Sequence, residues 1–129
     1  MIIDTHAHCS FDSLAEHEDE MLARMVAAGV EMAIQIAVDA ASARTVVDMS
    51  RYRPNVYRAV VGIHPNDCQS IRDIDTAMAE IRSIVECSGD VVVGIGETGL
   101  DRHYPETGPG EFARQRIFFG RHVSLAREF

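Results

Sequence analysis

Apolar residues recur along this chain in two rhythms: short continuous runs, and longer stretches spaced three and four apart. Met1 to Asp4 reads as a very short buried strand. From about Ser13 to Ala28 the spacing predicts a helix. Leu14, Met21, Leu22, Met25 and Val26 fall on one side of it, and Glu16, Glu18, Asp19 and Glu20 on the other. Gly29 is its stop signal. Glu31 to Val38 forms a second apolar run, and Asp39 or Ser42 starts a helix that must end before Pro54. Val56 to Ile63 is a third run. "RDIDTAMAEIRSIVECSG" is a third amphipathic helix, capped by Asp73 or Asp75 and closed by Gly89. Val91 to Ile95 is the fourth run. Beyond the loop "HYPETGPG" a last helix extends from about Glu111, with Phe112, Ile117, Phe118, Val123 and Leu125 at roughly helical spacing.

The order is therefore strand then helix, four times, and the strands carry almost no polar interruption. Such strands are buried on both faces, which is the mark of a parallel sheet covered by helices. Right-handed crossovers allow either a curled sheet or a doubly wound one. Neither GxGxxG nor GxxxxGK[ST] occurs, so the phosphate-binding fingerprints of doubly wound folds are missing and a (β/α) barrel is favoured. A complete (β/α)₈ barrel of TIM type takes about 250 residues. At 129 residues the chain supplies the first four βα units, a half barrel forming one domain.

Composition narrows the function. With 47% hydrophobic and 25% charged residues the chain can build a core, and a formal charge of −8 argues against a broad nucleic-acid footprint. A pocket for one phosphate or a strand end remains compatible with it. The three cysteines, Cys9, Cys68 and Cys87, are odd in number and form no CxxC pair, so free thiols are expected. No signal peptide and no apolar run of membrane-spanning length is visible, which makes the cytoplasm the default location.

Three constellations carry candidate chemistry, each just after a strand. In Asp4-Thr5-His6-Ala7-His8, the two histidines are i and i+2. On an extended chain they point to the same face about 6.6 Å apart, at ~3.3 Å per residue, and can share a divalent cation. In Gly96-Glu97-Thr98-Gly99, a carboxylate follows the fourth strand, where it either completes a metal site or serves as a loop or capping acid. In Gly62-Ile63-His64-Pro65, the proline holds His64 extended at the rim, where it either meets a substrate anion or simply faces solvent. All three lie at C-terminal strand ends, the catalytic mouth of a barrel.

"DTHAH", "GIHP" and "GETGLD", in this order and spacing, resemble the TatD-like metal-dependent hydrolases of the amidohydrolase superfamily. "HEDEMLARMVAAGV" and "FARQRIFFGRHVSLARE" are also similar to helices of that family, so the resemblance spans essentially the whole chain. It implies a (β/α)₈ barrel with one or two divalent metals, zinc, manganese or magnesium, at its mouth. It also implies deoxyribonuclease or phosphodiesterase chemistry on a DNA end, a small phosphodiester or another ester. His6 and His8 match the first metal ligands and Glu97 the carboxylate that bridges or completes the site. His64 matches a position near the substrate, and Asp101 lies close to the mouth without being a confident ligand. Metals in such sites acidify a bound water and polarise the scissile group.

The family draws two further histidines and an aspartate from strands five, six and eight. Nothing here matches them, so no catalytic residue is assigned; His103 and His122 are expected to be solvated or to pack. Geometry sharpens the issue, since strands one and four lie three steps apart, about 14 Å at ~4.8 Å spacing. Only a curved sheet brings His6, His8 and Glu97 together. The leading expectation is the N-terminal half of a hydrolase. The alternatives are an inactive half barrel that forms a homodimer through its open edges, and a small α/β binding module without metal.

Overall fold

The computed structural model describes residues 2–104 and 107–129. Met1 and two residues of the loop before the last helix lie outside the described residues. Four strands, β1 (Ile2–Ala7), β2 (Val30–Ile36), β3 (Tyr57–Val61) and β4 (Val92–Ile95), form one parallel sheet in sequence order. Helices α1 (Asp12–Ala15), α2 (Glu18–Ala27), α3 (Ala40–Tyr52), α4 (Ile74–Ser88) and α5 (Pro109–Ala126) fill the connections. The alternation of strand and helix expected from the apolar rhythm is present in full.

Helix boundaries follow from capping chemistry. Asp39 caps α3: its carboxylate accepts the Ser42 N–H at 2.7 Å, while the Ser42 hydroxyl accepts the Asp39 N–H at 3.0 Å. The two candidate start residues are thus the two halves of one capping box. Asp73 caps α4 by accepting from Asp75 N–H and Thr76 N–H, and the Thr76 hydroxyl and amide hold its carboxyl below the ordinary range. Gly29 and Gly89 stop α2 and α4 at φ of 74° and 67°, a region that other residues enter at a cost.

Two expectations about the helices need correction. The single helix from Ser13 to Ala28 is broken in two, because His17 (φ −121°, ψ 27°) leaves helical geometry. Glu18, the first residue of α2, pairs with the Arg53 guanidinium, 3.3 Å away at the end of α3, a tertiary contact that the periodic pattern does not carry. Met21, Leu22 and Met25 pack inward as expected, but Leu14 and Val26 are exposed. On α5 the buried positions are Gln115, Phe118, His122 and Leu125, whereas Ile117 and Val123 face solvent. Hydrophobic spacing selected two wrong residues there because two polar side chains occupy the packing face.

The main core lies between the sheet and α3, α4 and α5. Ala59, Val61 and Ile63 meet Val46, Val47, Ile81, Phe118 and Leu125. Burial alternates along β3, with Tyr57, Ala59 and Val61 buried toward the helices. The strands are not buried on both faces as expected: the other face of the sheet is open, with Val93 52% exposed, because helices cover one face only. The short buried strand expected over Met1 to Asp4 is instead an edge strand, Ile2–Ala7, exposed at every position before Ala7, so His6 lies within it rather than after it. Cys9 and Cys68 are buried, Cys87 is exposed, and all three are free thiols. No helix among the described residues is long and apolar enough to cross a membrane.

Candidate metal centre

His6, His8 and Glu97 meet at the C-terminal rim of the sheet. Glu97 Oε2 lies 3.4 Å from His6 Nε2 and 3.7 Å from His8 Nε2. One ligand atom from each of the three lies within 4.8 Å of the others. The side chains that the sequence places on separate strands therefore converge, and the sheet is curved enough to allow it.

Backbone geometry explains how Glu97 gets there. Beyond β4 the chain crosses the end of β3: Gly96 N–H donates to Val61 C=O at 2.9 Å, and Glu97 N–H reaches Ala37 C=O, just after β2, at 3.1 Å. The crossing needs Gly62 beneath it, because a Cβ there would sit 2.6 Å from the Gly96 carbonyl oxygen. The Gly96–Glu97 peptide is cis. The close approach of two backbones thus falls on Gly62; of the glycines around Glu97, Gly96 lies against a Val60 methyl group and Gly99 faces open space.

The histidines are oriented by groups that carry no sequence signature. His8 Nδ1 donates to Ile36 C=O at 3.0 Å, which leaves Nε2 bare and aimed at Glu97. The ring stacks on Phe11 with centroids 4.8 Å apart. The next residue is anchored too, since Cys9 N–H donates to the buried Gln35 Oε1 at 3.0 Å. His6 is more open, its side chain 55% exposed against 26% for His8, and its N–H donates to Asp4 Oδ1. Two neutral imidazole nitrogens and one carboxylate form a donor set that could hold a divalent cation.

His64 stands on the other side of Glu97, with Nε2 3.8 Å from Oε1. Its Nδ1 accepts the Asn66 N–H at 3.2 Å, so the proton resides on Nε2. The ring therefore presents a donor to the site, the opposite of His8. Asp101 does not reach the metal cluster. Its carboxylate accepts from His103 N–H at 2.7 Å and from the Asn66 amide at 2.7 Å, and those donors, His103 first, hold its carboxyl below the ordinary range. His103 is exposed in its loop. His122 is buried in α5: Nδ1–H donates to Phe118 C=O at 2.7 Å, and Nε2 accepts the Ile63 N–H at 3.0 Å. Burial pushes its pKa below the ordinary value. The sequence offers no signal for Ile36, whose contribution is a carbonyl, and Gln115 and Asn66 read as ordinary polar residues.

The family model described as TatD related DNase matches residues 3–129. A Mycoplasma pneumoniae protein named an uncharacterized metal-dependent hydrolase is 28% identical over 126 residues, covering 98% of this chain and 46% of that protein. A Mycobacterium tuberculosis protein named an uncharacterized metal-dependent hydrolase TatD is 32% identical over 130 residues, with coverages of 98% and 47%. The crystal structure of YJJV, a TatD homolog from Escherichia coli, superposes with a TM-score of 0.85 at 27% identity, covering 98% of this chain and 47% of that one. The chain spans about half the length of the relatives it matches, and its four parallel βα units correspond to half of their barrel.

Proposed function

The chain belongs to the TatD-related DNase family, and from that premise we propose that it forms the metal-binding N-terminal half of a metal-dependent hydrolase acting on phosphodiester bonds. The observation that carries this reading is the convergence of His6 Nε2, His8 Nε2 and the Glu97 carboxylate within 4.8 Å. His6, His8 and Glu97 would hold one or two divalent ions. Their mixed nitrogen and carboxylate set suits zinc or manganese better than magnesium, which prefers oxygen donors. Such an ion supplies Lewis-acid polarisation of an ester or phosphoryl oxygen and a more acidic water.

The remaining work belongs to the chain's own side chains. His8 would keep its bare Nε2 toward such an ion because its single ring N–H, on Nδ1, is donated to the Ile36 carbonyl. His64 offers Nε2–H as a hydrogen bond to an anionic substrate oxygen beside Glu97. With only a few donors at a narrow rim and a net charge of −8, the fitting substrate is a DNA end or a small phosphodiester rather than a long duplex. Exposure of Ile2 and Val93 on the sheet favours a second reading for the isolated chain, a homodimer that covers the open face. Light scattering distinguishes it from a monomer.

The test is calorimetric titration of the full chain with zinc and manganese, beside His8→Ala and Glu97→Gln. The expected result is saturable binding that each substitution weakens by at least about tenfold, the lower end for altered metal sites. Equal binding by all three proteins would overturn the ligand assignment.

A further inference from the structure

His64 is tied to helix α5 by a chain of hydrogen bonds. In α5 the Gln115 side chain is 1% exposed, and its Oε1 accepts the Asp101 N–H at 2.8 Å. Asp101 turns its carboxylate to the Asn66 side-chain amide at 2.7 Å. Asn66 in turn donates its backbone N–H to His64 Nδ1. A second tie reaches the same segment, since the buried His122 accepts the N–H of Ile63, the residue before His64. A buried glutamine with its carbonyl oxygen spent on a loop N–H holds that loop in one place, because the alternative is an unpaired polar group.

We propose that Asp101 and Gln115 are positioning residues for His64, fixing its ring with Nε2–H toward the site so that it meets a substrate phosphate as a donor. The proposal rests on the reading of His64 as the anion contact. Asn66 reaches His64 through its main chain, so the tautomer depends on where the 64–66 segment sits. His64 N–H on Val38 C=O at 2.7 Å and Ile63 N–H on His122 hold the start of that segment, and the carboxylate of Asp101 ties its Asn66 end to the loop carrying Glu97. Without this link the Asn66 end of the segment loses its tie to the Glu97 loop while His64 keeps its backbone anchor, and the Asn66 N–H is free to turn away from Nδ1.

The experiment is nitrogen NMR of the imidazole rings in the full chain, compared with Asp101→Ala, Asn66→Ala and Asp101→Asn. In the unsubstituted protein His64 is expected as one neutral tautomer, Nδ1 bare and Nε2 protonated. In Asp101→Ala and Asn66→Ala the two ring signals move toward each other as tautomers mix. Asp101→Asn, which keeps one acceptor, falls between. Unchanged ring signals in both alanine variants, with amide spectra of the folded chain, overturn the proposal. Inorganic phosphate separates it from the reading beneath it. A phosphate-induced shift of His64 Nε2–H that Asp101→Ala loses supports both. A locked tautomer in the unsubstituted chain that phosphate leaves unmoved, with mixing in the variants, upholds the positioning role and refutes the anion contact.

Discussion

The Glu97 N–H donates to the Ala37 carbonyl at 3.1 Å, although Ala37 follows β2 and Glu97 follows β4, two strands that are not neighbours in the sheet. This bond measures how far the chain swings inward across β3 before presenting its acid. A loop that simply continued outward from β4 would leave the carboxylate on the wrong side of a gap of about 14 Å, three steps of ~4.8 Å. The inward swing, more than the identity of the acid, joins strand four to the two histidines of strand one.

Gly62→Ala is the direct test of that crossing. The added Cβ would lie 2.6 Å from the Gly96 oxygen and 2.9 Å from its Cα, both backbone atoms with little freedom to yield. We expect destabilisation of about 1–3 kcal/mol, the usual range for overpacking. Divalent-metal binding should fall more than stability does, because the displaced segment carries Glu97. Calorimetric titration beside thermal unfolding checks this; metal affinity equal to the parent's would show that the crossing does not place the acid.

The fold was legible because the strands toward the core are rich in apolar residues, so Ile34, Ile36, Val60 and Val61 mark them, although the buried Gln35 lies within β2 and the sheet leaves one face open. His6, His8 and Glu97 were legible because each interrupts or ends such a run with a group that burial would exclude. Other parts were hidden for reasons of chemistry. Ile36 orients His8 through its carbonyl, which every residue possesses. Gln115 and His122 occupy the packing face of α5, where a pattern of apolar residues points instead to Ile117 and Val123. The break at His17 is followed at once by the ion pair of Glu18 with Arg53, thirty-five residues on, and local periodicity carries no trace of that contact.

His122 makes stability depend on pH. Burial lowers its pKa in the folded state from the ordinary value of 6.5, so the unfolded chain takes up a proton at a higher pH than the folded one does. Its contribution is fully present above pH 6.5 and is lost as pH falls from there toward the folded value. His122→Leu removes this titration but leaves the Ile63 N–H without a partner, at a cost of about 1–3 kcal/mol. Melting temperatures from pH 8 to 5 should fall for the parent and fall less steeply, from a lower plateau, for the variant. Parallel curves would exclude His122 as a source of the slope.

Asp39→Ala removes the acceptor of one capping box and should destabilise the chain by about 1 kcal/mol. The replacement leaves Ser42 N–H without its 2.7 Å partner, while the core beneath α3 is unchanged. Asp39→Ser, which keeps an acceptor oxygen, should recover most of the loss. Urea unfolding of the three proteins decides the matter, and equal midpoints would mean that α3 is held by its packing alone.

Neighbouring residues in α5 give the sharpest check on which face of the last helix is buried. Phe118 is 1% exposed and touches the core around Ile63 and Ile81, whereas Ile117 is 52% exposed. Truncating Phe118 to alanine opens a cavity in a close-packed interior and should cost about 3–5 kcal/mol. Truncating Ile117 removes contacts that water already shares and should change stability by no more than about 0.5 kcal/mol. The Ile117 side chain also tests what covers the outer surface of α5. A loss at Ile117 approaching that at Phe118 in urea unfolding, with midpoints rising as protein concentration is raised, would place this helix face in an association between copies. A small loss independent of concentration would leave Phe118, Gln115 and His122 as the face by which α5 is held to the sheet.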